Sequence, residues 1–120
     1  MQMPLNRATR IACIALLSLA ATIPAQAATP KQAAQTAMIA YEHGHGTSDI
    51  ENPSCYIVQD WAQCFFATAG GNLGKWDWLH LKGGKWVVAG GEGGDPALPY
   101  MKKFGVPSAI AAKFEAQCKC

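Results

Sequence analysis

Gly83-Gly84 separates two alternating runs, Lys75-Trp76-Asp77-Trp78-Leu79-His80-Leu81-Lys82 and Lys85-Trp86-Val87-Val88-Ala89. Two glycines accept the positive φ angles of a two-residue hairpin turn, so this segment is committed to an antiparallel ribbon. Pairing outward from the turn sets Leu81 opposite Trp86 and Leu79 opposite Val88, on the face expected to meet the core. Trp76, Trp78, His80 and Val87 leave the other face, with Lys82 and Lys85 at the tip. Two readings fit that aromatic row. It packs beneath the glycine-rich segment or the C-terminal helix, or it forms an exposed surface for a partner or ligand.

A second ribbon precedes it. Cys55-Tyr56-Ile57-Val58 and Trp61-Ala62-Gln63-Cys64-Phe65-Phe66 are β-prone runs around Gln59-Asp60. A two-residue turn there faces Val58 with Trp61, Ile57 with Ala62, Tyr56 with Gln63 and Cys55 with Cys64. The cysteines then fall at a non-hydrogen-bonded pair, where Cα atoms lie about 4.5 Å apart and a cross-strand disulfide can close. Gln-Asp is a poor composition for a type I′ turn, and a longer loop with a bulge would shift this register.

Before these ribbons, Thr29-Pro30 opens a helix with Thr as N-cap and Pro at the first helical position. Ala34, Ala37, Met38 and Tyr41 recur at helical spacing, and the helix is expected to stop near Gly44. After them comes Gly90-Gly91-Glu92-Gly93-Gly94-Asp95-Pro96. It has neither the Gly-Lys-Ser/Thr ending of a P-loop nor the βαβ setting of a dinucleotide fingerprint, and reads as a flexible connection with room for a bulge. A turn of helix around Tyr100–Phe104 and a final helix from Pro107, with Ile110, Ala111 and Phe114 on one side, complete the chain.

The N-terminus has the pattern of a secretory signal. Arg7 and Arg10 precede an uncharged run from Ile11 to Ile23, which closes on Ala25-Gln26-Ala27. The run has 13 residues, short of the roughly 20 that span a bilayer as a helix. Cys13 lies at its start and reads as a small apolar residue of the signal. Cleavage after Ala27 leaves 93 residues as a single domain, residues 28–120, and removes both arginines. Eight Lys then balance eight Asp and Glu. A neutral, arginine-free domain lacks the electrostatic footprint of a nucleic-acid binder, and no membrane anchor is expected after cleavage. Periplasmic or secreted localisation follows. A domain of this size buries somewhat over ~60% of its unfolded surface, so a covalent staple adds useful margin.

The exported chain has four cysteines, Cys55, Cys64, Cys118 and Cys120. Cys118 and Cys120 pair with each other, pin the tail to Cys55 and Cys64, or stay reactive as a redox or metal-binding end. His43-Gly44-His45-Gly46 with Cys118 and Cys120 has the composition of a two-His, two-Cys metal site, although those ligands come from opposite ends of the chain. The plainer reading makes His43 a partner of the helix dipole's negative end. For catalysis, His80 with Asp77 is the one acid-base pair to name, and the hairpin sends the two to opposite faces. An enzyme is therefore the weaker expectation, and no cofactor is expected.

The order helix, hairpin, hairpin, closing helix resembles the plan of cystatin-like and related helix-on-curved-sheet domains. Trp86-Val87-Val88-Ala89-Gly90-Gly91-Glu92-Gly93-Gly94-Asp95 with Gly105-Val106-Pro107 is similar to the ending of small exported bacterial domains of unassigned function, which carry Trp-Ala on a central strand where Trp61-Ala62 stands. The Gln-Val-x-Val-Ala-Gly stretch of inhibitory cystatins is absent, so protease inhibition is not implied. The expected fold is α+β, an N-terminal helix on a curved antiparallel four-stranded meander with a C-terminal helix. The expected function is a disulfide-stabilised binding or inhibitor-like module that uses Trp76, Trp78, His80 and Trp61 to hold an exported protein or a small ligand. The alternative is a small periplasmic enzyme or a metal- or redox-binding protein built on His43, His45, Cys118 and Cys120.

Overall fold

The computed structural model describes residues 28–69, 74–94 and 97–118. Residues 1–27, where the secretory signal is expected, the Asp95-Pro96 step and the Cys118 and Cys120 thiols lie outside the described residues. Helix α1 spans Pro30–Gly44, followed by β1 (Ile50–Val58), β2 (Trp61–Thr68), β3 (Gly74–Lys82), β4 (Lys85–Glu92), α2 (Leu98–Lys103) and α3 (Ser108–Cys118). The strands form one antiparallel meander in the order β1-β2-β3-β4. With α1 on it and a C-terminal helix closing the chain, this is the expected α+β, helix-on-sheet plan.

Local chemistry accounts for the first helix. Thr29 caps it through a full capping box: the Thr29 hydroxyl accepts from the Gln32 amide at 3.1 Å, and the Gln32 side chain accepts from the Thr29 amide at 3.0 Å. Ala34, Met38 and Glu42 lie four residues apart and form its buried stripe. That stripe covers one sheet face, where Ala34 and Met38 pack with Ala62, Cys64, Phe66 and Leu79.

Both hairpin registers agree with the pairing deduced from the turns. Cys55 faces Cys64, Val58 faces Trp61, Leu79 faces Val88 and Leu81 faces Trp86. The Gln59-Asp60 turn keeps two residues because Gln59 takes the left-handed conformation, φ 54°, which costs a non-glycine residue roughly 1 kcal/mol or more. Cys55 and Cys64 are disulfide-bonded, with Cα atoms 4.0 Å apart, so a covalent bond secures the register that this turn alone holds poorly.

The glycine-rich stretch differs from the flexible connection expected of it. Trp78 pairs with Gly90 while Leu79 pairs with Val88, so Ala89 is a bulge and Gly90, Gly91 and Glu92 continue β4. The two glycines serve close approach. A Cβ on Gly90 would come within 2.1 Å of the Phe104 ring, and one on Gly91 within 2.2 Å of the Asp77 carboxylate.

The second sheet face is closed by the C-terminal helices. Met101 of α2 and Ile110, Ala111 and Phe114 of α3 bury themselves with Val106 against Val58, Trp61 and Trp78. Trp61, Ala62, Gln63 and Cys64 are consequently four successive buried residues, the mark of a strand covered on both sides.

Candidate functional site

The aromatic row of β3 is not one continuous surface. Trp78, at its centre, is fully buried, 5.7 Å from the Phe104 ring, and its indole N–H donates to Gln63 Oε1 at 2.9 Å. For Trp78 this bears out the reading that the row packs beneath the C-terminal helix, and corrects its place among the exposed binding residues. Its alternation with Trp76 and His80 is real, but α2 and α3 need an apolar floor and the middle of the row provides it. Burial of an indole that also has its hydrogen bond satisfied marks a core residue.

The two ends of the row remain accessible. At one end Trp76 tilts against Phe65 with centroids 4.7 Å apart, and both line a cavity of about 280 Å³ with Gln63, Tyr56 and Gln117. At the other end Trp61, itself buried, stacks flat on His80, with centroids 4.3 Å apart and planes inclined by 9°. The free ring edge of His80 is held by Asp60, with Nε2 2.9 Å from Oδ2. That hydrogen bond holds the Asp60 carboxyl below the usual aspartate range. A cavity of about 300 Å³ opens beside this pair, lined also by Lys82, Val87 and Phe104. Val87 is 46% exposed there, a large apolar side chain left in solvent.

The carboxylate partner of His80 is thus the turn residue Asp60. Asp77 does project to the opposite face, as the hairpin requires, and meets something the sequence analysis missed. There it lies with Glu42 of α1, and both carboxyls are buried, at 0% and 1% exposure. Lys75 Nζ is 2.7 Å from Glu42 Oε2 and 3.6 Å from Asp77 Oδ1. Neither oxygen of Asp77 has a donor within hydrogen-bonding distance when the group is ionised. Burial pushes the Asp77 carboxyl up to about 8, reinforced by its hydrogen bond to Glu42 and the Glu42 charge, with Lys75 opposing. Burial also works to raise Glu42, but hydrogen bonds from Asp77 and Lys75 outweigh it and leave Glu42 below the ordinary glutamate range. One sequence signal pointed here: Glu42 continues the Ala34, Met38 spacing into the buried stripe.

The chain has no match among protein-family models, curated proteins or solved structures. The chemistry of the site therefore rests on its own geometry. Among the described residues no three His, Cys, Asp or Glu side chains converge as metal ligands. His45 is engaged locally, stacked on Tyr41 at 4.0 Å with Nδ1 2.7 Å from the Tyr41 carbonyl oxygen, and His43 is exposed on the last turn of α1. No helix among the described residues is long and apolar enough to cross a membrane.

Proposed function

We propose that the chain is an exported, disulfide-stabilised binding module that takes an apolar group of its ligand into the cavity beside Trp61 and His80. The observation that supports this is the Trp61–His80 stack: Asp60 fixes the imidazole at one edge, buried Trp61 supports its face, and Val87 stands exposed at the cavity mouth. A preorganised ring beside uncovered aliphatic surface binds by apolar contact at little ordering cost. Catalysis has less support, because the cavity lining presents no hydroxyl or thiol nucleophile beside the Asp60–His80 pair. Trp76 belongs to the same reading as a second contact at the far end of the row.

Export belongs to this proposal as well. A cut after Ala27 leaves Thr29 and its capping box intact at the head of α1.

The test is two-dimensional NMR of the protein from Ala28 onward, titrated with small aromatic and aliphatic compounds. Shifts concentrated at His80, Val87 and Phe104, lost in Val87→Asp with the melting temperature unchanged, would support the cavity as the site. Shifts confined to Trp76 and Phe65, or none, would overturn it. Intact mass of the protein recovered from its native host tests export independently, since a form that begins at Met1 contradicts cleavage.

A further inference from the structure

Two carboxyls and one ammonium lie together where α1 ends against β3 and β4. Glu42 and Asp77 are each fully buried, and Lys75 is the cation between them. If both acids were ionised the cluster would carry an uncompensated negative charge out of water, which is far costlier than holding one proton. Asp77 shows where that proton belongs. As a carboxylate neither of its oxygens has a donor, whereas as an acid it donates to Glu42, which in turn accepts from Lys75 at 2.7 Å.

We propose that Glu42, Asp77 and Lys75 form a one-proton latch, which ties the last turn of α1 to the β3–β4 edge and loosens that turn when the proton leaves. The groups that face the pair are identifiable on each packed element. From α1, Tyr41 lies with its ring 5.9 Å from Lys75 Nζ, and beyond the helix the Thr47 side chain hydrogen-bonds to Glu42. From β2, Asp77 faces Cys64, which does not titrate in its disulfide. From β4 it faces Gly91, whose missing Cβ leaves the Asp77 Oδ1 its space. Lys75 is held above the ordinary lysine range, since its hydrogen bond to Glu42 and the Asp77 charge outweigh the effect of burial, and it stays cationic through the working range.

The weak point is the turn that carries Glu42. Past Gly44 the chain is held by amides of His45, Gly46 and Thr47 bonded to carbonyls of Tyr41, Glu42 and His43. An ionised Asp77 is relieved by drawing water toward Glu42, at the expense of those bonds.

An acid that titrates higher in the folded chain than in the unfolded one binds more protons when folded. Its contribution to stability is therefore full below the unfolded value near 3.8 and is lost as pH rises to about 8. Glu42, held low, acts with the opposite sign and only in the acid range. Between pH 5 and 8 the unfolding equilibrium constant is expected to rise by up to about tenfold per pH unit, and to level off above it.

The experiment combines carboxyl carbon-13 NMR of the native protein with urea unfolding at pH 5 to 9 and amide hydrogen exchange. The latch predicts one protonated carboxyl at pH 6, assigned to Asp77. It also predicts falling protection of the His45, Gly46 and Thr47 amides, after correction for base catalysis, as that carboxyl ionises. Asp77→Asn, whose amide donates to Glu42 as the acid does, is expected to abolish the pH slope and to be more stable than the native chain at pH 8. Glu42→Gln is expected to reduce the slope, because Asp77 then ionises against Lys75. Two ionised carboxyls at pH 6, an unchanged slope in Asp77→Asn, or constant protection of the three amides would each overturn the latch. If neither variant folds, the native carboxyl spectrum and amide protection decide.

Discussion

The two faces of the sheet are closed by different means. On the α1 face one capped helix lays Ala34 and Met38 over Ala62, Leu79 and the Cys55–Cys64 disulfide, and ends on the buried Glu42–Asp77 pair. On the α2–α3 face two short helices settle on an aromatic floor, with Trp78 at its centre and Trp61 and Trp76 at its ends. The first face relies on a covalent bond and a local helix cap. The second relies on apolar area, and because its helices cover only the middle of the row, its ends are left as cavities. Buried floor and accessible surface thus share one row of alternating residues, separated by where the overlying helices stop.

The sharpest way to break this comparison is Trp78→Ala. It removes the floor beneath Phe104 and leaves Gln63 without its donor, and about 3 to 5 kcal/mol of destabilisation is expected by chemical denaturation. A loss under 1 kcal/mol would mean that the C-terminal helices do not depend on this floor. Replacement of both Cys55 and Cys64 by Ala comes next, with an expected cost of about 2 to 3 kcal/mol for so short a closed loop. Non-reducing peptide mapping should show these two cysteines joined in one linked peptide pair. Gly90→Ala forces a methyl group into the Phe104 ring and is expected to cost about 1 to 3 kcal/mol. Because Phe104 lies on the aromatic face, its near-ultraviolet dichroism should change while α1 keeps its amide protection. The smallest effect is expected from Thr29→Ala, about 1 kcal/mol through loss of the capping box, confined to exchange in the first turn of α1. Comparable loosening of α2 and α3 in that variant would show that the faces are not independent.

Much of the scaffold was legible because it is local. The Gly83-Gly84 turn and the period of two along β3 and β4 are enough to pair Leu79 with Val88, and a two-residue turn at Gln59-Asp60, one of the alternatives, puts Cys55 opposite Cys64, where the structure shows them bonded. The site was legible only in part. His80 stands out by its alternation with Trp76 and Trp78, but the carboxyl nearest along its own strand, Asp77, faces the other way, and a turn of the neighbouring hairpin delivers Asp60 across the sheet instead. The Gly90-Gly91 pair read as slack chain, since its purpose is set by what presses on it: Phe104 from one side and the Asp77 carboxylate from the other.

The helix cap, the Gly83-Gly84 turn with its register and the α+β order can be read from the sequence alone, because they depend on neighbours within a few residues or on a strict period; the Gln59-Asp60 register and the Cys55–Cys64 bond were among its open alternatives, and the folded chain settles them. Tertiary structure alone decided which part of the aromatic row is floor and which is surface. Both faces of β3 carry apolar residues, and only the docking of α2 and α3 assigns Trp78 to the interior. It also brought Glu42 to Asp77 and Lys75. Those residues are polar in any local pattern, and a charge becomes costly only when residues distant along the chain have closed the water out around it.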